Sequence, residues 1–316
     1  MSYYREAIRR LEVEREKKRK QAENQLLAAY KKFPQIQEID AEIKILGLRM
    51  SKEALNLSQN LPKLTDDLKK LKEEKHKLIE ANNCQKFFRP QYFCGVCKDF
   101  GFNKNCRCFK KILINIFYAN SNLQHVPKED SFDNFNFDYY SSQKNNEINM
   151  SPRENMELIY KEIQKFVNNF NNPHTNLLFY GRSGLGKSFL CHCIAKEILK
   201  KGYSVVYTDV NSFFKKVEQK RFSDEQVDTD IYYWCDLLIM DDLGTEFSTK
   251  LTKTELFNII NIRLLKRKST VISTNLDFDD LQEEYTDRIT GRIGGEYKNF
   301  KFYGEDIRIL KNKGGF

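Results

Sequence analysis

Asn176-Leu-Leu-Phe-Tyr-Gly-Arg-Ser-Gly-Leu-Gly-Lys-Ser-Phe-Leu190 is the stretch from which the fold of this chain can be read. Leu177 to Tyr180 have the length and composition of a buried strand. They run into Gly181-Arg-Ser-Gly-Leu-Gly-Lys-Ser188, which has the spacing G-x-x-x-x-G-K-S. Leu190, Ile194, Ala195, Ile198 and Leu199 then recur at helical spacing until Lys200, Lys201 and Gly202 close the helix. A chance glycine-rich turn would not need a strand before it and a helix after it. In this context the glycines let backbone N–H groups wrap phosphates, and the helix N-terminus adds positive potential. Gly181, Ser183, Gly184, Leu185, Gly186, Lys187, Ser188 and Phe189 are therefore the candidate ATP contacts. Lys187 reaches the β- and γ-phosphates, and Ser188 ligates Mg²⁺.

Downstream the pattern alternates strand and helix, which predicts an α/β domain with a mostly parallel sheet. Ser204 to Thr208 reads as a second strand. Asp236-Leu-Leu-Ile-Met-Asp-Asp-Leu-Gly244 is an apolar strand ending in Asp241 and Asp242, about fifty residues after the phosphate loop. Acids often end strands, but one beside a phosphate loop is placed to hold hydrated Mg²⁺. Asp241 is assigned to magnesium and Asp242 to the attacking water. Thr270-Val-Ile-Ser-Thr-Asn275 ends a further strand at the edge where a parallel sheet meets its ligand, so Asn275 is a candidate for positioning that water.

Composition bounds the rest. The 316 residues are 40% hydrophobic and 31% charged, with 53 Lys+Arg against 44 Asp+Glu and a net charge of +9. That is enough chain for two domains and apolar enough for a core. No run has the roughly 18–20 apolar residues of a membrane helix, and the basic and acidic opening has no apolar signal segment. A cytoplasmic protein without membrane attachment is expected. Charge is uneven: residues 1–120 hold 26 basic against 15 acidic residues, a net of +11, and the remainder nets −2. The front third is the electrostatic match for an anionic partner.

Residues 1–82 read as two or three helices forming a hairpin or short coiled coil. Ile36, Ile39, Ile43, Leu46, Met50 and Leu57 keep 3–4 spacing, as do Leu61, Leu64, Leu68, Leu71 and Leu78, with Pro34 and Pro62 as punctuation. A structural stalk and a partner-docking surface fit this pattern equally well. Residues 83–111 form a Cys-rich module: seven basic residues, one acid, seven aromatics and five Cys between Cys84 and Lys111. Cys94-x-x-Cys97 and Cys106-x-Cys108 place four thiols within 15 residues, a spacing that favours structural Zn²⁺ over a redox pair. Cys84 or His76 is an alternative ligand. The basic and aromatic residues together suit single-stranded nucleic acid, although a small zinc module also needs rings for its own core. Residues 112–150 read as a linker pinned by Phe132, Phe135, Phe137, Tyr139 and Tyr140, and 151–316 as the ATPase core. Cys191, His192 and Cys193, on the helix after the loop, are expected to be packing residues, because positions two apart on a helix diverge by about 200°.

Taken in order, GRSGLGKS, LLIMDDLG, VISTN, DRITGRI and FYGEDIRI resemble the AAA+ ATPases of the bacterial DnaC/DnaI-type replicative-helicase loaders, in the wider IstB/DnaC-like family. The likeness covers residues 130–316, and the upstream cysteines after a helical region resemble the Firmicute members. It implies ATP-dependent loading of the hexameric replicative helicase during initiation of DNA replication, with single-stranded DNA as a second partner and the N-terminal region docking on the helicase. Asn275 then matches sensor one, Arg292 the arginine finger and Arg308 sensor two, with Arg288 one turn before Arg292 as an alternative finger. A finger supplied by a neighbouring subunit implies self-association. Phe214, Lys215 and Lys216 occupy the position where this clade carries a DNA-contacting insertion. The resemblance also implies a core without a C-terminal helical lid, and eight residues after Arg308 leave no room for one. Asp242 departs from the more usual Glu, and its shorter side chain implies slow hydrolysis. The alternatives are an IstB-like transposition helper ATPase, a nucleotide-switched adaptor that never hydrolyses ATP, and a zinc-dependent nucleic-acid binder with a vestigial ATP site.

Overall fold

A computed structural model describes residues 2–55, 60–100, 106–144, 149–171, 174–222, 229–247 and 249–313. The chain divides into two compact units, one of Ile8–Cys108 and one of Met1–Ala7 with Phe109–Phe316.

The Ile8–Cys108 unit contains most of α1 (Ser2–Lys32), then α2 (Pro34–Leu55), α3 (Leu61–Ala81) and the single turn α4 (Gln85–Phe88). Pro34 opens α2 and Pro62 lies in the first turn of α3, where a missing N–H costs nothing. Three helices form, with α2 and α3 packed along each other. Ile36 and Ile39 are buried, whereas Ile43, Leu46, Met50, Leu64, Leu68, Leu71 and Leu78 are half-buried. Leu57 lies outside the described residues. Asp40 ties the three helices together: it accepts Tyr30 Oη at 2.6 Å and pairs with Lys75 Nζ at 2.5 Å. Burial beside that carboxylate holds the Tyr30 hydroxyl well above its ordinary pKa.

The second unit is built on β1 (Asn176–Tyr180), β2 (Val205–Asp209), β3 (Leu237–Leu243), β4 (Ser269–Thr274) and β5 (Tyr297–Lys301). All pairings are parallel, in the order β2-β3-β4-β1-β5, as the alternation of strands and helices requires. The helices are α5 (Arg107–Ala119), α6 (Pro152–Asn168), α7 (Lys187–Lys200), α8 (Val210–Phe222), α9 (Asp230–Trp234), α10 (Lys250–Leu265), α11 (Phe278–Glu284), α12 (Asp287–Glu296) and α13 (Ile307–Lys313). Leu177, Phe179, Val205, Leu237, Ile239 and Val271 pack in one cluster with Met156, Ile159 and Ile163 of α6 and Leu190, Ile194 and Ile198 of α7. The alternate positions Leu178, Val206, Leu238, Met240 and Ile272 are fully buried too. Both faces of the sheet are covered, which parallel pairing demands. α6 starts at a capping box in which Ser151 and Glu154 satisfy each other's backbone N–H groups, with Pro152 next in the first turn. Leu123 and Tyr140 are buried in the same cluster, and Phe132, Phe135 and Phe137 pack against it.

Arg263 of α10 is completely buried, yet every donor it uses finds oxygen. It bonds Thr270 Oγ1 at 2.9 Å and the carbonyls of Tyr232, Cys235 and Ser269 at 2.8, 3.1 and 2.5 Å. This guanidinium pins α9 and α10 to the start of β4.

Candidate nucleotide and metal sites

β1 delivers the chain into the phosphate loop with Phe302 N–H bonded to Tyr180 O at 2.7 Å. Gly184 and Gly186 have φ of +81° and +90°, which side chains rarely adopt. A Cβ at Gly184 would sit 2.1 Å from the Asp306 carboxylate, and one at Gly186 would sit 2.7 Å from the Tyr140 hydroxyl. Tyr140 grips the loop directly, donating to Leu185 O at 3.1 Å, while Ile307 N–H bonds Gly184 O at 3.0 Å. The Leu185 side chain is buried, so its backbone is what remains to meet phosphate.

Lys187 starts α7 with 4% of its surface exposed. Its ammonium donates to Gly181 O at 2.5 Å, Arg182 O at 2.7 Å and Asn275 Oδ1 at 2.9 Å. Burial lowers its pKa to about 8, against the upward pull of Asp242 and Asp241. Asp241 is buried; its carboxylate accepts Tyr207 Oη at 2.6 Å and the Ser273 hydroxyl. Asp242 is in the left-handed region at φ +59°, at the place where β3 slips register against β4. Its N–H bonds Ser273 Oγ at 3.1 Å. Burial, reinforced by the neighbouring Asp241, raises the Asp242 pKa. A non-glycine residue in that conformation stores strain, and such strain collects at functional sites. Asn275 directly follows β4. The structure thus brings Lys187, Asp241, Asp242 and Asn275 to one end of the sheet. A cavity of about 370 Å³ lies there, lined by Lys187, Asp242 and Asn275 together with Ser183, Ser188, Phe189 and Arg308; Asp241 is buried and is not among its lining residues. Arg308 Nη2 bonds Ser183 Oγ at 2.9 Å at its mouth.

Part of that cavity wall comes from residues that the sequence reading did not place at the site. Phe135, Asn136, Tyr139 and Tyr140 come from the stretch expected to be linker, and Ile307 and Lys311 from α13. Tyr207, which holds Asp241, was likewise missed.

The other assigned residues lie elsewhere. Arg292 on α12 does not line the nucleotide cavity. It bonds Asn261 Oδ1 at 3.1 Å and Arg288 O at 3.0 Å and stacks over the Phe257 ring at 4.5 Å. Arg288 is exposed. On α8, Phe214 is 4% exposed and packs on Phe213. It is a core side chain, which corrects its assignment to DNA. Lys216 is half-buried, bonded to Asn120 O at 3.3 Å, and burial lowers its pKa. Lys215 alone of the three is exposed. His192 needs correction as well. Cys191 and Cys193 are buried packing residues, but both ring nitrogens of His192 are engaged, with Asp130 Oδ2 at 2.6 Å and Tyr207 Oη at 2.8 Å. Helical spacing sets where a side chain points, but not what arrives to meet it.

In the Ile8–Cys108 unit the sulfurs of Cys94, Cys97, Cys106 and Cys108 all lie within 4.8 Å of one another. Cys94 and Cys106 are 3.6 Å apart, Cys97 and Cys108 3.5 Å, and Cys106 and Cys108 3.3 Å. Tetrahedral zinc with sulfur at about 2.3 Å sets its ligands roughly 3.8 Å apart, so the four thiols fit that ion. The backbone N–H of Cys97 is the chief reason the Cys94 thiol falls to about 7, and burial pushes the Cys108 thiol up. Asp99, at φ +63°, accepts the N–H groups of Phe93 and Cys94 at 2.9 and 2.7 Å and fixes the turn. Cys84 is buried with its thiol on Ile79 O, and exposed His76 pairs with Glu80. Neither joins the four.

Comparison with known proteins bears on residues 121–292, which match the family model described as IstB-like ATP binding protein. The chromosomal replication initiator protein DnaA of Buchnera aphidicola subsp. Cinara cedri is 28% identical over 146 residues, 45% of this chain and 32% of that protein. The replicative helicase loader DnaC of Escherichia coli K12 is 26% identical over 136 residues, 42% of this chain and 55% of that protein. Among solved structures, AMPPCP-bound DnaA from Aquifex aeolicus aligns with a TM-score of 0.46 at 23% identity, covering 59% of this chain and 55% of that one. The chain spans about a third to a half of the length of these curated relatives.

Proposed function

Because the chain belongs to the family of IstB-like ATP binding proteins, we propose that it binds ATP·Mg²⁺ in the 370 Å³ cavity, hydrolyses it, and uses the nucleotide state to load the hexameric replicative helicase onto single-stranded DNA in the cytoplasm. The observation that carries this reading is the Lys187–Asn275 contact at 2.9 Å, in a cavity that Asp242 also lines. It joins the phosphate loop to the ends of β3 and β4, where charge develops during phosphoryl transfer. The backbone N–H groups of Gly184 to Ser188 and the Lys187 ammonium bind phosphate. Ser188 and Asp241 would hold Mg²⁺, which when bound neutralises charge on the phosphate oxygens. Asp242 accepts a hydrogen bond from the attacking water, and Asn275 helps to orient it. The Arg308 guanidinium, at the cavity mouth, faces the same phosphates. Arg292, held by Asn261 away from its own chain's phosphate loop, serves the site of a neighbouring copy.

Two further parts follow from charge and chemistry. The basic front third and its helices dock on the helicase, with zinc held by Cys94, Cys97, Cys106 and Cys108 as a structural staple. Lys215, exposed on α8, contacts the phosphate backbone of single-stranded DNA. Support comes from the DnaC relative at 26% identity, whose name is that of a helicase loader. Sedimentation of this protein with the host's hexameric replicative helicase, with and without ATP, tests the reading. A complex that forms with the helicase and yields ADP when single-stranded DNA is added supports it. Absence of any complex in either nucleotide condition rules out the loader function.

A further inference from the structure

Asp241 is the end of a chain of four side chains. Its Oδ2 accepts Tyr207 Oη at 2.6 Å; Tyr207 Oη meets His192 Nε2 at 2.8 Å; and His192 Nδ1 meets Asp130 Oδ2 at 2.6 Å. A phenol has one proton. When Tyr207 gives it to Asp241, the hydroxyl's lone pair must be met by an N–H, and His192 Nε2 is the group in place. The ring satisfies both of its contacts when each nitrogen carries a proton. None of this chain is loose. Tyr207 is 9% exposed, and the side chains of His192 and Asp130 are 14% and 18% exposed.

The far end of the chain is anchored independently. Lys196 donates to the carbonyls of Pro127, Lys128 and Asp130. Ser121 Oγ bonds both the N–H and the carbonyl of Tyr207, at 2.9 and 3.3 Å. A few residues later the same segment supplies Phe135 and Tyr140 to the nucleotide cavity.

We propose that His192, held by Asp130, is a positioning residue for the magnesium carboxylate: it fixes the Tyr207 hydroxyl as a donor to Asp241 and so ties the segment that supplies Phe135 and Tyr140 to the nucleotide cavity to the metal position. Asp241 has two oxygens, and the Tyr207 and Ser273 hydroxyls each occupy one lone pair. The rotamer is locked and the remaining lone pairs are left to a cation. This inference rests on the ATP·Mg²⁺ reading and adds the residues that tune it. Groups that orient a ligand in this way typically contribute about 10- to 100-fold to metal affinity.

The test is binding of a fluorescent ATP analogue as magnesium is titrated, in the full-length protein. His192→Leu keeps bulk but removes the donor. It is expected to leave magnesium-free nucleotide affinity unchanged and to raise the half-saturating magnesium concentration about 10-fold. His192→Gln restores an N–H toward Tyr207 and is expected to recover most of that loss. A packing role predicts no such split between the two variants, and a magnesium curve for His192→Leu that overlays wild type overturns the proposal. Should His192→Leu fail to fold, Asp130→Ala, which removes the acceptor that holds His192 Nδ1, gives the same reading: a right-shifted curve upholds the proposal and an unshifted one overturns it. If wild type itself shows no magnesium-dependent binding, the ATP·Mg²⁺ reading fails and the proposal with it. If wild type responds and neither variant differs, only the proposal fails.

Discussion

Lys187 Nζ and Asn275 Oδ1 are 2.9 Å apart although 88 residues separate them in the chain. That contact joins the first turn of α7 to the end of β4. The ammonium completes its shell on the Gly181 and Arg182 carbonyls within a buried setting. Removing it should leave three oxygens without their donor and phosphate without its counter-charge. Lys187→Ala is expected to weaken ATP binding by about 10- to 150-fold, the worth of one hydrogen bond to a charged group, as measured by equilibrium titration.

The same ammonium has a pH signature in the nucleotide-free protein. Burial lowers its pKa from 10.5 to about 8, so the unfolded chain binds more protons between those values. Stability therefore rises as pH climbs through that window. Lys187→Met lacks the buried charge. Its stability should lack the rise that wild type shows between pH 8 and 10.5, as followed by denaturant unfolding across the range.

In the proposed site, Asp242 is the residue whose change should separate binding from chemistry. Asn tolerates the left-handed region in which this residue sits, so Asp242→Asn should fold and retain nucleotide. It loses the carboxylate proposed to act as base toward the attacking water. ADP production should fall by about 100-fold or more, with ATP affinity changed little.

On α8, Phe214 and Lys215 divide by exposure. Phe214→Ala should cost about 3–5 kcal/mol of stability and leave the single-stranded DNA affinity of the folded fraction unchanged. Lys215→Glu should do the reverse, with DNA binding weakened most at low salt. Fluorescence anisotropy with a labelled oligonucleotide at two ionic strengths reads both.

Arg263 is the main structural outlier, a fully buried cation with no carboxylate bonded to it among the described residues. Arg263→Ala strands several carbonyls and should destabilise by about 3–5 kcal/mol. Lys cannot reproduce the planar fork, so Arg263→Lys should recover only part of this. Thermal unfolding of the three proteins is the check.

These outcomes also show which parts of the site could be read in advance. The phosphate loop, the Asp241–Asp242 pair and Asn275 were legible because each is a local pattern at the end of an apolar strand. Parallel pairing places all such ends on one edge of the sheet. The four thiols were legible because their spacing is itself the geometric constraint. Tyr140 was not. It lies 45 residues from Leu185, and a tyrosine in an Asn- and Ser-rich stretch has no spacing that announces a glycine neighbour. His192 was misread for a related reason, since its partners come from 62 and 15 residues away. Phe214 was misread because the resemblance that assigned α8 to DNA sets where the helix falls in the chain and not which of its side chains the core buries, Phe214 rather than Lys215. Arg292 was assigned by motif, and its hold on Asn261 and Phe257 came only with α10 and α12 in place.

Calorimetric titration of ATP into the protein at millimolar magnesium, repeated with Lys187→Ala, goes most directly to the nucleotide site. One molecule of ATP per chain should bind wild type, with the affinity collapsing in the variant and in the absence of magnesium. A wild-type protein that takes up no ATP under these conditions would contradict a triphosphate seated between Lys187 and the Asp241–Asp242 pair.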